Sequence, residues 1–301
     1  MHLSLFRKKY LAKNIGNQWN KFDTARDKDI PEPKGIKLLA DIPYAPSVDS
    51  KDSTSNLTDI IYPDANMIDA YPVIVNVHGG GWFYGNKQIY STYAKFLASQ
   101  GFAVINFNYR LAPIHTYPAA FVDVCKLMTF ISSHAGEYHL DLNRLYMVGD
   151  SAGAQLAAQY SIAATSSEYR KLIAEIAQDN LPIPSKIALN CGLYEFDETR
   201  KQFNAACYLP KKMTKEQAES AFRMLNYLNA DFPASFIMAS VNDILMPQSQ
   251  MLHEKLSTLN IPHIYREYGQ NSPQDSHVFH LNLRSSEGQK CNADEIAFFQ
   301  Q

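Results

Sequence analysis

Two glycine-containing segments of the sequence carry the residue types and the spacing that acyl-transfer chemistry needs. In the first, Gly149, Ser151 and Gly153 fit the pattern Gly-x-Ser-x-Gly, which places a serine at a sharp turn between a strand and a helix. Glycines flank the serine because side chains there would clash in so tight a turn, where the serine backbone itself is strained. The following helix directs its N-terminus at the serine oxygen and favours developing negative charge. The pattern therefore predicts Ser151 as a nucleophile.

The second segment is the run HGGGW at residues 78–82, directly after a predicted strand at 73–77. Consecutive glycines let backbone N–H groups approach an oxyanion without obstruction by side chains. The same chemistry takes one more N–H from the residue after the nucleophile, here Ala152. A phosphate-binding loop or a simple tight turn is the alternative. A nucleotide site is disfavoured because neither a Lys-Ser/Thr pair nor Gly-x-Gly-x-x-Gly spacing follows.

A serine hydroxyl becomes a nucleophile only when a base takes its proton and an acid holds that base in the right tautomer. Four histidines follow the serine in the sequence. His253 lies in a predicted helix and His263 in a predicted strand, so we interpret both as structural or surface residues. His277 and His280 follow the last predicted strand. We prefer His277, which comes first after the loop, and place His280 at the start of the final helix.

The acid is expected between the serine and the histidine in chain order. Asp243 directly follows a predicted strand, where a loop at the carboxyl end of the sheet would bring it near the histidine. Glu267, Asp275 and Asp231 are the competitors. Glu267 lies within a predicted strand, and Asp275 is only two residues from the preferred histidine. We interpret Asp150, inside the serine turn, as an anchor of that turn.

Strands alternate with helices from residue 71 onward, and this order predicts βαβ units with a mostly parallel sheet. Two earlier strands, at 35–42 and 57–62, are joined by a polar turn at 49–52 and predict an antiparallel edge. The later strands are predicted at 73–77, 102–109, 145–148, 186–190, 235–241 and 263–268. The helices among them are predicted at 90–100, 119–133, 152–164 and 250–259.

A polar segment at 194–232 interrupts this alternation and contains a helix predicted at 215–228. We interpret the segment as an insertion over one end of the sheet. The helical spacing within residues 1–30 predicts a second cap element nearby. Neither an internal repeat nor a linker divides the sequence, so we expect a single domain over residues 1–301.

Composition narrows the class of protein. The chain has 301 residues, of which 46% are hydrophobic and 19% charged, with a net charge of −2. We therefore expect no binding to nucleic acid or to an anionic membrane. No apolar run approaches the roughly 18 residues of a membrane-spanning helix, and the N-terminus does not have the pattern of a signal peptide. The four scattered cysteines lack metal-binding spacing, which favours a reduced, cytoplasmic protein without a metal.

Together these residues resemble the hormone-sensitive-lipase-like carboxylesterases of the α/β-hydrolase superfamily, in its bacterial branch. The matching segments are HGGGW at 78–82 with Gly85, NYRLAP at 108–113, YPAA at 117–120, GDSAG at 149–153, Asp243, and HVF at 277–279. The resemblance covers residues 57–300. It departs from the family at Ala154, where many relatives have glycine, and after Asp243, where many have a second aspartate. Neither departure removes a catalytic group.

The resemblance implies an α/β-hydrolase fold with an eight-stranded, mostly parallel sheet, a small helical cap and no cofactor. It implies oxyanion donors at Gly80, Gly81 and Ala152. His78 and Arg110 would support the site structurally.

The sequence therefore predicts a serine carboxylesterase that hydrolyses short- to medium-chain acyl esters through an acyl-enzyme intermediate. His277 would deprotonate Ser151, and Asp243 would stabilise the imidazolium. A small-molecule ester is the expected partner. The sequence does not decide between a monomer and a homodimer. The alternatives are an amidase or small peptidase, a deacetylase of acyl sugars, and a non-catalytic binding protein on the same fold.

Overall fold

One sheet of eight strands forms the centre of the part of the chain that the structure describes. This computed structural model describes residues 4–47, 54–63, 70–177, 180–196 and 202–301. The strands are β1 (Lys37–Pro43), β2 (Leu57–Tyr62), β3 (Tyr71–Val77), β4 (Ala103–Phe107), β5 (Leu140–Asp150), β6 (Lys186–Asn190), β7 (Ala234–Ser240) and β8 (His263–Tyr268). Their order across the sheet is β1-β2-β4-β3-β5-β6-β7-β8.

The sheet is antiparallel at one edge and parallel elsewhere. β2 pairs antiparallel with both β1 and β4, and the other described pairs of neighbouring strands are parallel. The predicted α/β fold with a mostly parallel sheet is confirmed, as is its antiparallel edge. The polar turn predicted at 49–52 lies outside the described residues.

Helices cover both faces of this sheet. The described α-helices are α1 (Leu5–Asp27), α2 (Ser91–Ala98), α3 (Ala119–His134), α4 (Ala152–Thr165), α5 (Ser167–Arg170), α6 (Phe203–Tyr208), α7 (Lys215–Phe222), α8 (Met246–Thr258) and α9 (Ser286–Gln300). Short 3-10 helices lie at Ala174–Ile176, Met224–Tyr227 and Phe279–Leu281. Within the described ranges, no helix is both long and apolar enough to cross a membrane.

α2, α3 and α4 match the predicted helices to within two residues at each end, whereas α7 and α8 differ by more. α8 begins at Met246, four residues early, because Pro247 fits the first helical turn, where its missing N–H costs no hydrogen bond. The helix predicted at 215–228 is α7 only as far as Phe222. A 3-10 helix over Met224–Tyr227 follows it.

The alternation of buried side chains along β3 explains why the sheet is covered on both faces. Val73, Ile74 and Val75 are all fully buried. Val73 and Val75 belong to the apolar cluster under α3 and α4, whereas Ile74 belongs to the cluster under α2 and α9. Successive strand residues point to opposite faces, so each face needs its own cover. The carboxyl ends of the parallel strands then meet at one edge, where ligand sites of such sheets lie.

A buried lysine ties the antiparallel edge to the loop that precedes α2. Lys87 is 2% exposed, and its Nζ lies 2.6 Å from Asp59 Oδ1 on β2 and 2.8 Å from Asp41 Oδ1 on β1. Its backbone N–H donates to Asn108 Oδ1 at 2.8 Å. The lysine therefore compensates a buried carboxylate and joins three segments of the chain.

We expect Lys87→Met to lower the free energy of unfolding by about 3 kcal/mol, because removing one partner of a buried ion pair leaves the other charge uncompensated. Urea denaturation followed by circular dichroism measures the change. Lys171→Met, at an exposed lysine, is the control and should stay within about 0.5 kcal/mol of wild type. Equal losses in the two variants would contradict the structural role of Lys87.

Candidate active site

Ser151 lies in the sharp turn between β5 and α4. β5 ends at Asp150 and α4 begins at Ala152, with Ser151 between them at φ 53° and ψ −116°. A positive φ is costly for a residue with a side chain, and it persists only where the surroundings hold it. The strand–turn–helix arrangement that the sequence predicts around this serine is therefore present, together with the strain that the pattern implies.

Close backbone contacts hold the serine turn in place. A side chain on Gly149 would overlap the carbonyl group of Gly153, and one on Gly153 would overlap the carbonyl oxygen of Val77 at the end of β3. The N–H of Ser151 donates to the carbonyl oxygen of Asn190, at the end of β6, at 2.8 Å. The serine turn thus packs against the ends of β3 and β6, the two strands that neighbour β5.

The structure brings Ser151, His277 and Asp243 together in one hydrogen-bonded series. Ser151 Oγ lies 3.0 Å from His277 Nε2, and His277 Nδ1 lies 2.7 Å from Asp243 Oδ2. A carboxylate accepts the Nδ1 proton, so the neutral imidazole keeps its lone pair on Nε2, facing the serine. This arrangement can remove a proton from the serine hydroxyl.

Asp243 is held in its ionised form. Burial raises the pKa of this carboxyl, but hydrogen bonds and the charge of His277 outweigh that effect, and the pKa falls below its usual value. The backbone N–H of Leu245 donates to Asp243 Oδ1 at 2.8 Å and adds to the stabilisation. A carboxylate fixed from two sides orients the imidazole.

The other histidines occupy different environments. His280 lies in the 3-10 helix before α9, not at the start of the final helix as predicted. It is fully buried, and burial lowers its pKa to about 3. His253 Nδ1 lies 2.7 Å from His263 Nε2, so these two bond to each other between α8 and β8.

The competing acids also have other partners. Glu267 accepts a hydrogen bond from the Tyr265 hydroxyl at 2.8 Å. Asp275 accepts from the hydroxyls of Ser272 and Ser285 at 2.6 and 2.8 Å. Asp231 is exposed.

The glycine loop that follows β3 lies beside Ser151. Gly80 and Gly81 have φ values of 106° and 58°, a region that residues with side chains rarely adopt. The carbonyl oxygen of Gly80 accepts from the N–H groups of Phe83 and Tyr84 at 3.2 and 3.0 Å, which folds the loop back on itself. Both glycines line the cavity that contains Ser151.

Tyr90 connects this loop to the serine turn. Its hydroxyl accepts the N–H of Gly79 at 2.9 Å and donates to Asp150 Oδ2 at 2.8 Å. Burial raises the pKa of Asp150 from its ordinary 3.8 to about 6, and the hydrogen bond from Tyr90 opposes that rise. Tyr90 was not among the predicted site residues, because its partners lie 11 and 60 positions away and no local pattern marks it.

His78 and Arg110 do not line the cavity. The buried His78 ring stacks on Tyr109 at 4.0 Å, and its Nδ1 lies 2.8 Å from the carbonyl oxygen of Gly79. Burial lowers the pKa of His78 to about 4, so the ring is neutral near pH 7. Arg110 forms a bidentate ion pair with Asp123, with Nε–Oδ2 and Nη2–Oδ1 distances of 2.8 and 2.7 Å.

A cavity of about 630 Å³ opens above Ser151 and His277. Its walls are mainly aromatic and aliphatic, which suits a hydrophobic small molecule. The lining residues are Trp19, Phe22, Asp23, Gly80, Gly81, Trp82, Tyr84, Tyr90, Asp150, Ser151, Leu193, Gln202, Phe203, Asn204, Ile244, Leu245, His277, Val278 and Leu281.

Both segments predicted as cap elements contribute to these walls. From α1, Trp19 stacks on Phe83 with 5.2 Å between ring centroids, and Asp23 accepts from the Tyr84 hydroxyl at 2.6 Å. From α6, Phe203 packs edge-on against Phe83 at 5.5 Å. These contacts connect α1 and α6 to the segment just after the glycine loop.

A buried thiol lies beside the histidine–aspartate pair. Cys191 Sγ, a carboxylate oxygen of Asp243 and a ring nitrogen of His277 lie within 4.8 Å of one another. Burial raises the pKa of the Cys191 thiol well above its usual value, whereas a metal ligand would need the thiolate. The donor set therefore fits a hydrogen-bonded pair better than a metal site.

Comparison with known proteins agrees with this geometry. The BD-FAE family model matches residues 58–256, more than half of the chain. An acetyl esterase of Salmonella choleraesuis (strain SC-B67) is 30% identical over 224 residues, which cover 67% of this chain and 64% of that protein. A putative alpha/beta hydrolase of Acanthamoeba polyphaga mimivirus is 25% identical over 247 residues, which cover 75% of this chain and 68% of that protein. The match to the acetyl esterase thus spans less than two thirds of its length.

Solved structures share the whole fold. Esterase B from Lactobacillus Rhamnosis superposes with a TM-score of 0.84 at 24% identity, over 97% of this chain and 94% of that one. A bacterial heroin esterase superposes with a TM-score of 0.74 at 19% identity, over 96% and 90% of the two chains. At these identities the likeness establishes the α/β-hydrolase fold.

The raised pKa of Asp150 predicts a pH effect on stability. Its pKa is about 6 in the folded chain, above the ordinary 3.8. Between these values the folded state binds the extra proton, so this carboxyl lowers stability as pH rises from about 4 to about 6. An amide at this position does not titrate, so we expect the stability of Asp150→Asn relative to wild type to improve over that range.

Urea denaturation at several pH values from 4 to 7 measures this difference. Asp231→Asn, at an exposed aspartate, is the matched control. A difference between Asp150→Asn and wild type that stays constant with pH would contradict the prediction.

Proposed function

Because this chain belongs to the BD-FAE family, whose model covers more than half of it, we propose that it is a serine esterase. It hydrolyses short- to medium-chain acyl esters through an acyl-enzyme intermediate. The observation that carries this proposal is the series Ser151–His277–Asp243, with distances of 3.0 and 2.7 Å, at the floor of an apolar cavity. The resemblance to hormone-sensitive-lipase-like carboxylesterases points to the same chemistry.

The reaction proceeds in two halves. His277 Nε2 takes the proton of Ser151 Oγ as the oxygen attacks the ester carbonyl, and the ion pair with Asp243 stabilises the imidazolium. The imidazolium then protonates the leaving alcohol, and the acyl group stays on Ser151. Water, deprotonated by His277, attacks the acyl-enzyme. The imidazolium then returns the proton to Ser151 Oγ as its bond to the acyl carbon breaks, and the carboxylic acid leaves.

The tetrahedral oxyanion binds to the N–H groups of Gly80, Gly81 and Ala152. Ala152 is the first residue of α4, and N–H groups in a first helical turn have no partner within the helix. The N–H of Gly79 already donates to Tyr90, so it is not a donor to the oxyanion. His78, Asp150 and Arg110 support the site structurally and do not react with the substrate.

The substrate range follows from the cavity. A volume of about 630 Å³ with mainly apolar walls accommodates an ester of modest size. Two similar proteins support this range: one is an acetyl esterase, and the Lactobacillus esterase B has been solved with a C4-C4 tributyrin phosphonate inhibitor.

We also propose that the chain is one α/β-hydrolase domain over residues 1–301, with cap elements at about 1–30 and 194–232. Both segments supply cavity walls, which supports that assignment. A cytoplasmic location is proposed as well. It is supported by Cys191, Cys207 and Cys291, which are buried thiols, as expected in a reducing compartment.

We expect Ser151→Ala to lower kcat for p-nitrophenyl butyrate by about three orders of magnitude or more, because the variant lacks the nucleophile. Ser133→Ala, on the exposed surface of α3, is the control and should retain wild-type activity. Matched ester and amide substrates test for an amidase. A folded wild type that turns over neither substrate would contradict the proposal and favour a binding protein.

A second prediction concerns chain length. Phe22 and Ile244 both line the cavity, yet their side chains are 74% and 91% exposed, so they form an apolar rim at its mouth. Only longer substrates reach that rim. We expect Phe22→Ser to lower kcat/KM about fivefold for p-nitrophenyl decanoate, through lost apolar contact, and to leave the acetate unchanged.

Phe6→Ser is the matched control, because Phe6 lies on the same helix, is 82% exposed and is not part of the cavity lining. Equal losses for acetate and decanoate in Phe22→Ser would show that the rim does not contact the chain.

A further inference from the structure

A buried carboxyl group that is not part of the cavity lining is connected to the serine turn through Asn190. Glu295, on α9, is fully buried. Its Oε1 accepts from the Tyr93 hydroxyl of α2 at 2.9 Å, and its Oε2 accepts from Asn190 Nδ2 at 2.7 Å. Both donors are neutral. Burial of an acid among neutral groups disfavours its ionised form, and such groups concentrate at functional sites.

Asn190 links this carboxyl group to the nucleophile. It is the last residue of β6, and its carbonyl oxygen accepts the N–H of Ser151 at 2.8 Å. The next residue, Cys191, has φ 50°, so the chain leaves the strand in a strained conformation at this point. The N–H of Cys191, which belongs to the same peptide group as the Asn190 carbonyl, donates to the carbonyl oxygen of Met238 on β7 at 2.9 Å. The pairing with β7 therefore holds this peptide group, and a constraint on the Asn190 side chain adds to it.

The side chain of Asn190 supplies that constraint through Glu295. Among the described residues, Asn190 Oδ1 is buried without a hydrogen-bond partner, so the contact with Glu295 is what orients the amide. Tyr93 holds the other carboxyl oxygen, three residues after Tyr90, which bonds to Asp150 and Gly79. The beginning of α2 is thus connected to the serine turn in two ways, through Tyr90 to Asp150 and through Tyr93 and Glu295 to Asn190.

We propose that Glu295 is a positioning residue for the nucleophile. It holds the Asn190 side chain, and Asn190 holds the strained backbone of Ser151 through its carbonyl oxygen. Glu295 touches neither substrate nor the reacting atoms. The inference rests on the proposed function only in taking Ser151 as the nucleophile.

Glu295→Leu tests this role because leucine fills a similar volume but accepts no hydrogen bond from Asn190 or Tyr93. We expect kcat per active site to fall about tenfold or more, because small displacements of a reacting group are costly, with KM within about twofold of wild type. Active sites are counted by stoichiometric labelling with a p-nitrophenyl phosphonate. This count separates a slower site from a smaller folded fraction.

Two further variants make the test decisive. Glu295→Gln is the conservative variant: its amide oxygen can accept from the Asn190 NH2 group, so it should keep most of the wild-type kcat. Asp294→Asn is the matched control: Asp294 also lies on α9 and accepts from a tyrosine, Tyr268, at 2.7 Å, but has no contact with Asn190. It should retain wild-type kcat.

An unchanged kcat per labelled site in Glu295→Leu, with or without a lower melting temperature, would overturn the proposal and leave Glu295 a core residue. If that variant does not fold, Glu295→Asp decides, because it keeps the acid but shortens its reach to Asn190 and should show the same fall in kcat. A failure of the proposed function is distinct, since the wild type itself would then hydrolyse no ester.

Discussion

The strained backbone of Ser151 is the constraint on which the rest of the site depends. A positive φ at a residue with a side chain is unfavourable, so it must be held by its surroundings. Two interactions hold it here: the close approach of Gly153 to the carbonyl oxygen of Val77, and the hydrogen bond from Ser151 N–H to Asn190. Both involve the ends of strands that neighbour β5. The sheet therefore fixes the backbone of Ser151, the proposed nucleophile, at the edge of the cavity that this residue lines.

A layer of buried polar groups lies beneath that turn. Tyr90 connects Asp150 to Gly79, and so couples the serine turn to the glycine loop. Glu295 joins Tyr93 to Asn190 in the same layer. Hydrogen bonds in a low-dielectric interior are strong when satisfied and costly when broken, so this layer favours one arrangement of the loop and the turn. The same burial raises the pKa of both carboxyl groups, and stability is therefore linked to pH.

The cavity side of the site is built differently. There the polar groups are few and directed at one point, where the hydroxyl of Ser151, the imidazole of His277 and the glycine loop meet. The walls come largely from aromatic residues of α1, α6 and the segment after the loop, which exclude water and accept hydrocarbon. Preorganised donors in such an environment stabilise a developing charge more than they would in water. Chemistry and substrate preference thus reside in separate parts of the chain.

The sequence by itself determined the features that depend on neighbouring residues. The alternation of strands and helices predicts the α/β sheet, and the spacing of glycines around Ser151 predicts a strained turn, because both are local properties of the backbone. It also narrowed the acid and the base to a few candidates. Only the tertiary structure decided among them: Asp243 and His277 meet Ser151, whereas His280 is buried and Asp275 bonds to serines. Tyr90 and Glu295 left no local signal, because their roles depend on contacts between residues that are far apart in the chain and that only the packing of helices on the sheet brings together.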